Sequence, residues 1–290
     1  MIPFVSRLPR PLIIPHPIPP VMKLPLGLLT ILGCIHAILA IHANAQNTIT
    51  YLDLVNPAIE EVTIGAGKFR AETLPGTAGT GNFDTFLKLN GTPFEQGYNT
   101  SANGVMDNAN GQWTHNLQVG DLSVVQDLTG RYLMAIGMDL NEPNSAGARY
   151  QSLDAFQIYT SPIGSQHVSD PSQLGTLIYN MDAVQDNALL LDVNRNSAGG
   201  SGRSDLNIYL DLSLLAGTKQ SDFIYFYVKM GGVGMGEAPQ YPNLSFANDG
   251  GFDELRRDYS LSTVASVPEP SAAMLLMLAA TSLVARRSRR

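Results

Sequence analysis

Between Gln46 and Ala265 the chain alternates short apolar runs with clusters of Gly, Asn, Asp and Pro. Ten runs have the length and composition of β-strands: Ile49–Val55, Phe83–Leu89, Val119–Val125, Arg131–Leu140, Ser152–Tyr159, Leu174–Tyr179, Ala188–Val193, Asp205–Leu212, Phe223–Met230 and Tyr259–Val264. Several repeat every second residue. Leu206, Ile208, Leu210 and Leu212 point to one side of a strand, and Asn207, Tyr209, Asp211 and Ser213 to the other. Phe223 to Val228 is aromatic and β-branched throughout, as a central strand buried on both faces requires. No stretch of this body carries a helical apolar stripe. The expected fold is all-β: an antiparallel two-sheet β-sandwich, jelly-roll-like, spanning 46–265. The segment Asn90–Gln118 is the longest without a strong strand, which marks it as a functional or mobile loop.

Both ends break this pattern. Met22 to Ala45 reads as a signal helix: Lys23 is the positive start, Leu24 to Ile41 the apolar core, and Ala43-Asn44-Ala45 puts small residues before cleavage at Gln46. Residues 1–21 are proline-rich and fit no targeting logic, so Met22 is the expected start. At the other end, residues 266–290 carry Val267-Pro268-Glu269-Pro270, the apolar stretch Ser271 to Ala285, and Arg286, Arg287, Arg289 and Arg290. As a helix, 271–285 would rise about 22 Å, short of a hydrocarbon core of roughly 30 Å. Flanking arginines can snorkel to extend that reach, and they hold their end on the cytoplasmic side.

Charge sharpens the division. Residues 46–270 hold 25 acidic residues against 11 basic ones, because three of the chain's 18 bases lie in residues 1–45 and four in the last twenty; the net is −14. Such a body excludes nucleic acid as a partner, since phosphate neutralisation needs clustered Lys and Arg. It suits solubility outside the cell or cation binding. The only cysteine, Cys34, lies in the signal segment, which excludes disulfides, thiolate zinc sites and a Cys nucleophile from the body.

The C-terminal segment closely resembles the PEP-CTERM sorting signal of bacteria with an outer membrane, a tail also labelled an ice-binding protein C-terminal domain. The Val267–Pro270 motif, the short span 271–285 and the basic cluster 286–290 occur in that family's order. The resemblance covers 24 residues. It implies export by the Sec machinery and signal peptidase, transient anchoring in the inner membrane, and recognition of Pro268-Glu269-Pro270 by an exosortase. Release or attachment at the cell surface, or within a polysaccharide or biofilm matrix, would follow. The strings Leu153–Tyr159, Gly200–Asp205 and Asn248–Glu254 also look similar to sandwich modules of other PEP-CTERM proteins, a likeness that transfers no catalytic residues.

Within the body, chemistry is sparse. His115 and His167 are the only histidines after signal removal, with no G-x-S-x-G elbow and no H-E-x-x-H spacing. Acid pairs close in sequence are Asp139 with Glu142, Asp182 with Asp186, and Asp253 with Glu254, any of which could serve a glycoside hydrolase. Solvated loop carboxylates are the competing reading. Asp192, Asn194 and Asn196 present oxygens at alternate positions before Gly199-Gly200, with Asp205 beyond, a candidate calcium turn that departs from an EF-hand at Ser197 and Arg203. An Asx-bonded turn accounts for the same residues without metal. Tyr98, Trp113 and Tyr241 are candidates to stack on sugar rings, with core packing the competing role for Trp113. The expectation is a non-enzymatic exported protein with a binding or structural body, carbohydrate and calcium being its candidate ligands. The alternative is a secreted hydrolase.

Overall fold

In the computed structural model the described residues are 48–71, 84–109, 111–143, 145, 147–195 and 204–257. The signal segment with Ala43, Ala45 and Gln46, the run Tyr259–Val264, and the sorting motif with its span and arginines lie outside them. The described residues are all-β. Their strands are β1 (Thr50–Asp53), β2 (Glu61–Ile64), β3 (Gly67–Arg70), β4 (Thr85–Leu89), β5 (Glu95–Tyr98), β6 (Leu117–Gln118), β7 (Val124–Gln126), β8 (Tyr132–Asp139), β9 (Tyr150–Ser161), β10 (Thr176–Asn180), β11 (Asn187–Asp192), β12 (Leu206–Asp211), β13 (Phe223–Met230) and β14 (Asp253–Arg257).

They form two sheets, consistent with a β-sandwich. The first runs β1-β11-β9-β13-β5, with β10 also on β9 and β6 on β13; the second runs β2-β3-β12-β8-β14-β4, with β7 also on β8. The expectation of a purely antiparallel fold is corrected at one place: β1 pairs parallel to β11, Thr50 opposite Asn187 through Asp53 opposite Leu190. A parallel neighbour needs a long crossover rather than a hairpin. Here most of the body lies between the two strands, so local pattern could not reveal their pairing.

Alternation sorts side chains as their periodicity predicts. Leu206, Ile208 and Leu210 of β12 enter the core between the sheets, while Tyr209 joins a small cluster with Val125, Leu133 and Ala135. Leu212 instead opens a 3-10 turn, capped by the Asp211 carboxylate, which accepts from Ser213 N at 2.9 Å. On β13, Ile224, Phe226, Val228 and Met230 face the core, and Tyr225 and Tyr227 face a second apolar cluster. Rings from opposite sheets meet in the core: Phe69 with Phe156 at 6.1 Å and Phe86 with Phe226 at 5.2 Å between centroids. Such pairs add to the transfer free energy of each buried ring.

On β9 both Leu153 and Phe156 face inward despite an odd spacing. A bulge resets the alternation, since Lys229 pairs with Ala155 but Met230 with Leu153, leaving Asp154 as the extra residue. Strands β2, β3, β5, β6 and β14 have no counterpart among the predicted runs. Two of them lack an apolar signature: β5 is EQGY and β14 is DELRR. Gly97 of β5 is dictated by packing, because a Cβ there would stand 2.5 Å from Leu89 Cδ2 and overlap the Asn108 amide oxygen.

Candidate functional site

The three aromatic candidates do not share a surface. Tyr98 is fully buried, which removes it from sugar stacking; it packs with Tyr159, Leu174, Tyr225 and Tyr227 outside the first sheet. Its hydroxyl accepts from Val168 N at 2.7 Å and lies within donating reach of Val168 O and Gln166 O. Together with Tyr225, which donates to Ile163 O at 2.7 Å, it staples the 162–174 loop onto that sheet. Tyr241 packs on Phe246 in a third cluster, at 5.9 Å between centroids, with its hydroxyl on Asp53. Trp113 is part-exposed in the loop between β5 and β6. The physical reason for the Tyr98 correction is position: it ends a strand whose outer face is roofed by a loop.

The calcium turn is likewise divided. Asp192 binds Arg149 through Oδ2 and accepts from Asn194 N at 3.0 Å through Oδ1, an Asx turn closed by protein donors. Asn196 lies outside the described residues. Asp205 is buried in different company, with Oδ2 accepting from Leu140 N at 2.9 Å and with Asp139, Asp253 and Arg256 as charged neighbours. Of the acid pairs, Asp253 and Glu254 are adjacent on a strand and so face opposite sides. Glu254 meets Lys88 Nζ at 3.2 Å on the outside, whereas Asp253 is buried. Asp182 and Asp186 share a surface turn in which Asp182 accepts from Asn187 N at 2.9 Å. His115 is part-exposed and His167 exposed.

What the structure does bring together is a set of carboxylates from distant parts of the chain. Glu95 opens β5, Asp253 opens β14, Asp139 ends β8, Glu142 follows it, and Asp205 precedes β12; all five are buried or nearly so. Gln151 of β9 is fully buried among them and donates from Nε2 to Asp253 Oδ2 at 2.5 Å. The other Asp253 oxygen accepts from Asn141 N at 2.8 Å. Glu95 Oε2 accepts from Gly91 N at 3.0 Å and Glu142 Oε2 from Asp249 N at 3.0 Å. The Glu95 and Asp253 carboxyl groups lie within hydrogen-bonding reach of each other.

Burial, and then the Asp253 charge, push the Glu95 carboxyl far above the usual carboxylate range. The same two causes in the same order push Glu142 up to about 8, and burial raises Asp205 and Asp253. Arg256 is the one cation whose charge bears on Asp205 among these causes, and its guanidinium is engaged by the Ser204 hydroxyl. Among the described residues no three His, Cys, Asp or Glu side chains converge as a metal-holding group. Chemically, then, this end is rich in oxygen acceptors and poor in donors and cations.

Sequence reasoning paired Asp139 with Glu142 and Asp253 with Glu254, set Asp205 with the 192–196 turn, and missed Glu95 and Gln151. The available signal was placement: most of these acids flank an apolar run, where a strand end turns from solvent to core. No helix among the described residues is long and apolar enough to cross a membrane. No protein-family model, curated protein or solved structure matches the chain.

Proposed function

We propose that this chain is an exported cell-surface or matrix protein, sorted through its C-terminal segment, whose all-β body is a structural or binding module without catalytic activity. The observation that carries this reading is the order of three elements behind that body: Val267–Pro270, the span 271–285, and the arginines 286–290. A span too short for comfortable permanent anchoring, preceded by two prolines and followed by a basic stop, suits transient retention and cleavage. The signal segment ending at Ala45 supplies the complementary entry to the export pathway.

The body supports a structural role over the finer carbohydrate reading. Its candidate aromatics are divided among separate supports, and Tyr98 is roofed over. The two-sheet arrangement fits a jelly-roll-like sandwich, with the parallel β1–β11 pair as a departure from the simplest such topology. The hydrolase reading draws less support: a carboxylate pair must touch a glycosidic oxygen and a water, whereas Glu95 and Asp253 are closed to solvent.

Expression of the full chain in an outer-membrane bacterium, with and without its exosortase-type enzyme, tests the proposal. The expected result is a shortened product in the surface or matrix fraction that depends on that enzyme and on Pro268-Glu269-Pro270. A full-length chain retained in the inner membrane of the competent host, or found in the cytosol, overturns it.

A further inference from the structure

We propose that the oxygen-lined end of the body formed by Glu95, Asp253 and Gln151, with Glu142 beside them, is a calcium site that ties β5, β9 and β14 together. It is distinct from the 192–196 turn, and it depends only on the folded body, so the sorting proposal can fail without touching it.

The orphaned atoms carry the inference. Glu95 Oε1, Gln151 Oε1 and Glu142 Oε1 are buried without a hydrogen-bond donor. Glu95 and Gln151 are fully buried residues, and Glu142 is 9% exposed. Buried acceptors without partners give up their hydration with nothing in return, the more so when charged, so a native site holding three of them calls for an electrophile.

Each orphan is also the second polar atom of a group whose first is pinned. Glu95 Oε2 is held by Gly91 N, Glu142 Oε2 by Asp249 N, and the Gln151 amide by its own Nε2 on Asp253 Oδ2. This is the arrangement of outer hydrogen bonds that pre-orients ligands around a metal. The Gln151 oxygen cannot be far from Asp253, because the nitrogen of the same amide touches that carboxylate. The Glu95 carboxyl lies within hydrogen-bonding reach of Asp253, so the two can sit together only with a proton or a cation between them. A cation bridging the two removes both the repulsion and the orphaned oxygen.

Donor chemistry selects the ion. Every candidate ligand is an oxygen: two neighbouring carboxylates and an amide carbonyl, with the Glu142 carboxylate beside them. Histidine and cysteine are absent from the set, which disfavours zinc and copper. Because the set mixes carboxylates with an amide, it does not require three acidic groups converging on one point. Calcium accepts such irregular, mixed oxygen coordination, whereas magnesium demands octahedral geometry and keeps several waters, which a closed site serves poorly. The ligands come from three strands and a loop that are remote in sequence, Gln151 and Asp253 being 102 residues apart. A bound ion would therefore act as a cross-link at one end of the body.

The test uses the full chain, purified from the envelope of an expression host, stripped with chelator and kept at neutral pH. Calcium chloride is the titrant, followed by calorimetry, metal analysis and thermal melting. One calcium per chain is expected, with a melting temperature that climbs with calcium concentration as linkage requires. Glu95→Gln should weaken calcium binding by about 10-fold or more, and Asp192→Asn should leave it unchanged. Gln151→Met, which keeps every carboxylate, covers the case in which Glu95→Gln does not fold. A folded wild-type chain whose heat and melting temperature ignore millimolar calcium overturns the proposal, as would happen if Glu95 and Asp253 simply share a proton. Binding lost in Asp192→Asn but intact in Glu95→Gln and Gln151→Met overturns it too.

Discussion

The space between the two sheets and the end of the body where Glu95 and Asp253 meet are equally buried, yet they are held by opposite physics. In the first, Phe69, Phe86, Phe156 and Phe226 interlock with Leu, Ile, Val and Met side chains, and area removed from water does the work. In the second, carboxylates and an amide face one another with oxygen atoms left over. Dry packing stabilises on its own, whereas a polar cluster does so only when every member is satisfied. The interior thus needs nothing from outside, and the charged end is completed by what it binds.

The largest blow to that contrast falls on the dry side. Phe226→Ala removes a fully buried ring that meets both Phe86 and Phe156, so unfolding free energy should drop by about 3–5 kcal/mol. Urea denaturation with and without chelator should give the same loss, because no ligand is involved.

Asp253→Asn is the matching change on the charged side. It puts an amide where Asn141 N and Gln151 Nε2 now donate, and should cost about 2–3 kcal/mol in calcium. The same denaturation in chelator should show a smaller loss; an identical one would mean that the two regions do not differ in kind.

Tyr98→Phe sharpens the comparison at a third place, where apolar burial and hydrogen bonding cooperate. Losing the hydroxyl that Val168 N donates to should cost about 1–2 kcal/mol, and amide exchange should quicken at Val168 and its loop neighbours while the β13 core stays protected.

Asp154, at the β9 bulge, is a carboxylate outside the cluster, and its effect shows only in the pH dependence of stability. Burial pushes it up to about 6 against the hydrogen bond from Gly232 N at 2.6 Å. A raised folded value means the stability it lends is complete below about pH 4, where the unfolded chain also holds the proton, and is lost as pH rises through about 6. In Asp154→Asn that decline should flatten by up to about 3 kcal/mol, read from denaturation midpoints across this pH range.

Legibility followed apolar character. The runs that became β8, β9, β11, β12 and β13 stood out because inward Leu, Ile, Phe and Val alternate or fill both faces. Strand β14 was hidden, since among Asp253, Glu254, Leu255, Arg256 and Arg257 only Leu255 is apolar, although it lies between β8 and β4 in its sheet. Strand β5 was hidden for the same reason, within a segment that read as a loop. Tyr98 read as an exposed aromatic because nothing local announces the 162–174 segment that covers it.

By itself the sequence determined the all-β class, the side of β12 and β13 that each residue serves, and the segments at both ends that suggest export and sorting. These are local properties, carried by period-two alternation and by short contiguous motifs. Only the tertiary structure decided that β1 runs parallel to β11, that Tyr98 is enclosed, and that Glu95, Gln151 and Asp253 share one buried space. A polar residue at a strand end is stable facing water or facing a partner, and the partner here lies a hundred or so residues away, so its choice is made by the fold as a whole.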